Sequence, residues 1–209
     1  MTNDVSNNLN DVISHYDLLV DENNDPVRDP LPLREYMDKW DGPEFIEKMN
    51  LSKDKSVLEI GVGTGRLALR AARFCGELYG VDVSSKSIAR AEENLKEYDN
   101  VKLICADFLS CEFDQTFDVI YCSLTFMHIE EKQRAMNKIA SLLKTDGRFI
   151  LSIDKNTSDC IDLGSRRVRV YPDYPKLTEE YIINAKMSIL FWYETDHATV
   201  FVAAKEGTT

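Results

Sequence analysis

The sequence predicts an α/β fold: a mostly parallel sheet with helices on both faces and an antiparallel pair at its C-terminal end. Three observations carry that expectation. From residue 56 to residue 153, short apolar runs alternate with amphipathic stretches, the succession that sets parallel strands between crossover helices. The first run, Val57, Leu58 and Ile60, ends in a turn with glycine at alternate positions, Gly61, Gly63 and Gly65. Near the C-terminus, Ser188–Tyr193 and Thr199–Ala204 are separated only by Glu194 to Ala198, a connection short enough for a hairpin.

Taken in order, residues 1 to 8 are polar and Asn-rich, a composition expected to be disordered. A weakly amphipathic helix follows over Asn8–Val20, carrying Val12, Ile13, Tyr16 and Leu19. Three prolines and several Asp/Asn residues make 21–32 a loop. A second helix is expected over Leu33–Met49, broken near Asp41-Gly42-Pro43, with Tyr36, Trp40, Phe45, Ile46 and Met49 on its apolar stripe. Residues 1–50 thus form an N-terminal helical lid or extension, and 51–209 one domain. In that domain helices are expected at 65–74, 86–97, 130–143 and 178–186. Strands are expected at Glu77–Asp82, Val101–Ala106, Phe117–Ser123 and Arg148–Ile153, with Gly147 as a helix C′ residue or tight turn.

The chain has 209 residues, 44% hydrophobic and 29% charged, enough for one full core. Its net charge of −11, from 36 acidic and 25 basic residues, argues against a broad nucleic-acid surface, which needs clustered Lys and Arg. The five cysteines are odd in number and include no C-x-x-C pair. Cys75, Cys105 and Cys122 sit in apolar segments, so reduced, core-packed thiols in a cytoplasmic protein are expected. His15, His128 and His197 are scattered, and no metal site is expected. No signal peptide and no membrane-spanning run are visible.

A strand, a glycine turn and a helix place backbone N–H groups around a bound group. The dinucleotide fingerprint G-x-G-x-x-G would put its last glycine at residue 66, which is Arg66. The turn instead reads E-x-G-x-G-x-G, with Glu59 two positions before Gly61. A carboxylate there repels a pyrophosphate but balances a cationic ligand. This stretch, with Thr64, resembles motif I of the class I S-adenosylmethionine (SAM) dependent methyltransferases of small-molecule type. The resemblance covers roughly residues 50 to 154. It implies a Rossmann-like, seven-stranded sheet whose last strand is antiparallel, SAM as cofactor and S-adenosylhomocysteine (SAH) as product.

Ligands of open α/β sheets bind beyond the carboxyl ends of the strands. Asp82, followed by Val83, ends the second strand twenty-one positions after Gly61, where a carboxylate can accept both ribose hydroxyls; Ser84 or Ser85 is better placed to cap the next helix. Asp107-Phe108 resembles the family's adenine-holding segment. Ser123, Leu124 and Thr125 lie where the family's chain passes the methyl group. His128 follows as a candidate general base or a packed helix-start histidine, and His15 is a second base candidate. Tyr16 resembles an aromatic hydroxyl closing over the cofactor's carboxylate end, and Tyr36 and Trp40 are candidates for the same lid. Arg166, Arg167 and Arg169 suggest a short strand with a basic face, either an anion site or a solvated edge.

The expected activity is methyl transfer to O, N or S of a small-molecule acceptor, in a monomer or homodimer with no nucleic-acid or membrane partner. The alternatives are an RNA or protein methyltransferase and a non-catalytic SAM-binding regulator. Against a base-methylating enzyme, the strand 4 segment has Cys122-Ser123-Leu124-Thr125 and no Asn/Asp-Pro-Pro-Tyr/Phe.

Overall fold

The computed structural model describes residues 5–164 and 166–205. Its centre is a seven-stranded sheet formed by β1 (Ser56–Ile60), β2 (Glu77–Asp82), β3 (Val101–Cys105), β4 (Phe117–Ser123), β5 (Leu143–Asp154), β8 (Met187–Glu194) and β9 (Ala198–Lys205). The order across it is β3-β2-β1-β4-β5-β9-β8. The first five strands pair in parallel, and β9 enters antiparallel between β5 and β8. Order reverses beside β1, so the crevice for a ligand opens beyond the carboxyl ends of β1 and β4.

Strand alternation sorts the core into two layers. Leu58, Ile60, Ile120, Cys122, Phe149 and Leu151 face α6 (Lys132–Leu142) and α7 (Pro175–Asn184). Val57, Leu78, Val119, Tyr121 and Ile150 face α4 (Arg66–Ala71) and α5 (Ser85–Leu95), whose Ala68, Ala71, Ile88 and Ala91 pack on them.

The N-terminal part comprises α1 (Val5–Asp21), α2 (Leu31–Met37), a 3₁₀ turn at Asp38–Trp40 and α3 (Phe45–Lys48). The expected break at 41–43 is present, with Gly42 at φ +78°. Two boundaries differ from expectation. α1 starts at Val5, inside the stretch read as disordered; residues 1–4 of that stretch lie outside the described residues. α2 starts at Leu31 because Pro32 sits in its first turn, where proline's missing N–H costs nothing. Helix α7 likewise begins three residues early, on Pro175 at its first position.

Three further expectations are corrected. The left-handed residue is Asp146, at φ +61°, and not Gly147; it lies inside β5, which begins at Leu143 and bulges between its pairings with Phe117 and Val119. Cys105 is exposed, because β3 is the edge strand, whereas Cys75 and Cys122 are buried; all five cysteines are free. The Arg/Val alternation does form a strand, β7 (Arg167–Arg169), but it pairs with β6 (Cys160–Asp162) in a separate two-stranded sheet. Among the described residues no helix is long and apolar enough to cross a membrane.

Candidate active site

Two glycines of the turn after β1, Gly61 and Gly63, line the cavity. At Gly61, φ +76°, a Cβ would sit 1.9 Å from the Thr125 hydroxyl. At Gly63, φ +53°, a Cβ would meet nothing within 4 Å: the backbone there is bare toward the cavity, as close approach of a ligand requires. Gly65 shapes the turn itself. It does not line the cavity; it adopts φ +94° before α4, and its missing side chain leaves room for Leu95.

Asp82 stands across from this turn. Its Oδ2 accepts the Gly63 N–H at 2.9 Å and its Oδ1 accepts the Ser84 N–H at 2.9 Å. Burial pushes its carboxyl pKa upward against those hydrogen bonds. Ser84 takes the helix-capping role, accepting the Ser87 N–H at 3.0 Å, so Asp82 keeps lone pairs for a ligand. Glu59, 3% exposed, accepts the Tyr121 hydroxyl at 2.7 Å, and burial pushes its pKa up to about 8.

Asp107 caps its own turn, accepting from Leu109 N–H at 3.3 Å and Ser110 N–H at 3.1 Å. Phe108 is buried against Phe113 with Lys138 over its ring. Both still line the cavity, as do Tyr16, Glu59, Gly61, Gly63, Thr64, Asp82, Val83 and Ser123, with His15 and His128. Its volume is about 610 Å³, within the range of small-molecule and cofactor sites.

The model of a family described as "Methyltransferase domain" matches residues 51–169, more than half of the chain. The chain belongs to the methyltransferase-domain family. The residues just described fit S-adenosylmethionine as a methyl donor: a bare glycine turn, a strand-end carboxylate for a ribose, and a buried carboxyl group for a cationic tail. Phosphoethanolamine N-methyltransferase 1 of Arabidopsis thaliana is 33% identical over 100 residues, 46% of this chain and 20% of that protein. Ubiquinone biosynthesis O-methyltransferase of Coxiella burnetii is 29% identical over 141 residues, 66% and 60% of the two chains. The chain thus spans between a fifth and three fifths of these relatives' lengths. The solved DhpI–SAH complex superposes with a TM-score of 0.77 at 15% identity, covering 97% of this chain and 98% of that one. The fold is the Rossmann-like methyltransferase fold.

In this methyltransferase domain the two base candidates differ sharply. The Tyr16 hydroxyl lies 2.7 Å from His128 Nε2, 112 positions away in sequence. Burial, then His15 and Lys132, lowers the His128 pKa to about 4, and burial raises that of Tyr16. The pair is therefore neutral phenol and neutral imidazole. His15 also has a lowered pKa, from burial and Arg166, but its Nδ1 already accepts from Arg166 Nε at 3.1 Å. Its lone pair is engaged, so it is a poor base.

Several residues of the methyltransferase site were invisible as such in the sequence. Asp41, fully buried, accepts hydrogen bonds from Arg66 and Ser123. Asp25, 1% exposed, accepts from Thr64 Oγ1 at 2.8 Å and from Arg90 at 3.2 Å, and Asn94 bonds both it and the Thr64 carbonyl. The D-G-P break at 41–43 was the only local signal, and it spoke of a turn. Arg66, the residue that spoils the dinucleotide fingerprint, turns out to Asp38 and Asp41. The three arginines make no anion site: Arg166 is bound by Glu22, Arg167 pairs with Asp162, and Arg169 lies over the Tyr171 ring.

Proposed function

We propose that this chain is a SAM-dependent methyltransferase acting on O, N or S of a small-molecule acceptor. The observation that carries the reading is one continuous cavity holding both a cofactor half over β1–β3 and a neutral Tyr16–His128 pair over β4. SAM, when bound, supplies an electrophilic methyl carbon on a sulfonium. The chain's own residues then have three tasks: hold the donor, orient the acceptor and exclude water.

Asp82 would take the ribose hydroxyls, Val83, Asp107 and Phe108 the adenine region, and Glu59, Gly61, Gly63, Thr64 and Ser123 the methionine end. The Tyr16 hydroxyl and the neutral His128 imidazole can hydrogen-bond an acceptor and orient it toward the donor. We assign residues 1–50 as the lid over this cavity. The net charge of −11 supports small molecules over RNA, free thiols support a cytoplasmic setting, and the chain acts as monomer or homodimer.

Isothermal titration with SAM and SAH tests the cofactor half, and SAH production across a metabolite panel tests the transfer. No binding by the wild type, together with no effect of Asp82→Ala, would sink the reading. Binding with no product from any acceptor would favour a SAM-binding regulator instead.

A further inference from the structure

We propose that the acceptor is a cationic amine, recognised at the end of β5 by Asp154 beneath the aromatic rings of Trp40 and Tyr36. The inference rests on the methyl-transfer reading and names its substrate class.

The sheet order separates the cavity into halves. Glu59, Asp82 and Asp107 end β1, β2 and β3 and occupy the cofactor side, leaving the ends of β4 and β5 for the acceptor. Asp154 is the last residue of β5 and lines the cavity. One oxygen accepts the Asn156 N–H at 2.7 Å, and among the described residues the carboxylate has no ion pair. A second carboxylate, Asp173, lines the same cavity and is 5% exposed. Lys132 pairs with it at 2.5 Å, and that ammonium also donates to the Phe126 carbonyl at 3.0 Å. Two carboxylates against one ammonium leave this end of the cavity negative.

No cation offsets it. Among the described residues Arg66 is the sole Lys or Arg lining the cavity, and Asp38 and Asp41 hold it. Arg166, Arg167 and Arg169 are engaged elsewhere, so a carboxylate or phosphate on the acceptor would meet charge of its own sign.

The rings supply an independent argument. Ser152, two residues before Asp154, donates to the Trp40 carbonyl at 2.5 Å, which holds Trp40 over the end of β5. Trp40 packs edge-on against Tyr36 at 5.1 Å and tilted against His197 at 4.6 Å, and Ala198, next to His197, is the cross-strand partner of Asp154. Trp40 Nε1 is buried without a hydrogen-bond partner. Aromatic faces beside an unpaired carboxylate select an ammonium over a neutral or anionic group.

The chemistry balances. The ammonium gives one proton to water before transfer. The freed nitrogen lone pair forms the N–C bond while the carbon–sulfur bond breaks, its electrons remaining on sulfur. Donor and amine become a neutral thioether and a methylated ammonium.

The test is titration of the full chain, pre-loaded with SAH, with three probes of one shape: phenethylamine, 2-phenylethanol and phenylacetate. Phenethylamine is expected to bind about tenfold or more tighter than either, and Asp154→Asn to erase that preference, since one charge-assisted contact is worth at least a factor of ten. Asn retains an oxygen for the Asn156 N–H, so the turn should persist, and unchanged SAH affinity of the variant verifies the fold. Equal, absent or phenylacetate-preferring binding with SAH still bound overturns the amine proposal. Failure of SAH itself to bind overturns the methyl-transfer reading, and the amine proposal with it.

Discussion

Glu59→Gln should raise the stability of the free protein, and only above pH 5. Glu59 is buried beneath the glycine turn, and burial raises its pKa from 4.5 to about 8. Below pH 4.5 the carboxyl is protonated folded and unfolded, and the residue is neutral to stability. As pH rises through 4.5 the unfolded carboxyl ionises while the folded one keeps its proton, so stability falls until about pH 8. The full shift corresponds to roughly 5 kcal/mol, at 1.36 kcal/mol per pH unit, and is a ceiling. One fifth of it, about 1 kcal/mol, still moves Tm by roughly 2–4 °C in a chain of this size. Glutamine keeps an oxygen for the Tyr121 hydroxyl and has no charge to bury. The assay is Tm of wild type and variant from pH 4.5 to 8.5 without cofactor, where the two curves should start together and diverge upward for the variant. A constant offset across that range, or a less stable variant at pH 8, refutes the reasoning. A bound cationic tail should reverse the order: SAM binding to the wild type should release protons near pH 7, seen by calorimetry in buffers of different ionisation heat, and the variant should bind without release.

Asp82→Asn should weaken SAH at least about tenfold by calorimetry, because the amide cannot accept on both oxygens while Gly63 and Ser84 N–H groups point at it; an unchanged Kd would remove Asp82 from the ribose role. His128, lowered to about 4, contributes stability present above pH 6.5 and lost as pH falls through 4. His128→Gln should therefore flatten the wild-type fall in Tm between pH 6.5 and 4, and equal slopes would contradict the burial argument. Tyr16→Phe should lower kcat with little change in SAH affinity if the pair orients the acceptor, whereas a loss confined to SAH binding would move Tyr16 to the cofactor. Asp25→Ala strands the Arg90 and Thr64 donors and should cost about 1–3 kcal/mol, read as a lower urea midpoint at unchanged slope; an unaltered midpoint would show that water replaces the carboxylate.

The cofactor half was legible because its chemistry is local. A carboxylate inside a strand, glycines at alternate positions and an aspartate at the next strand end are each fixed to an element boundary, and the parallel order of the strands brings those boundaries together. What local pattern could not resolve was duty within the turn: Gly65 follows the same spacing as Gly61 and Gly63 yet packs on Leu95. Helix starts slipped where proline was read as a breaker although it sat in a first turn, at Pro32 and Pro175. The acceptor half was legible only in part, through Tyr16, Tyr36, Trp40 and His128. Asp41, Asp154 and Asp173, which complete it, come from separate segments, and no spacing relates them. Arg166 misled in the same way, since its partners Glu22 and His15 lie some 144 and 151 positions away.

The electrostatics of the two halves make one argument. Carboxylates of Glu59, Asp82, Asp107, Asp154 and Asp173 line the cavity, and among the described residues Arg66 alone of the Lys and Arg side chains lines it with them. A donor carrying positive charge on sulfur is favoured in such a field, and so is an amine. During transfer the positive charge leaves sulfur and appears on the acceptor nitrogen. A fixed carboxylate at about 5 Å from that nitrogen is worth on the order of 3 kcal/mol at an effective dielectric near 20, and it is in place before the charge arrives, which is the condition for electrostatic stabilisation of a transition state. Asp154, at the end of β5, lines the same cavity as the β1–β3 cofactor features.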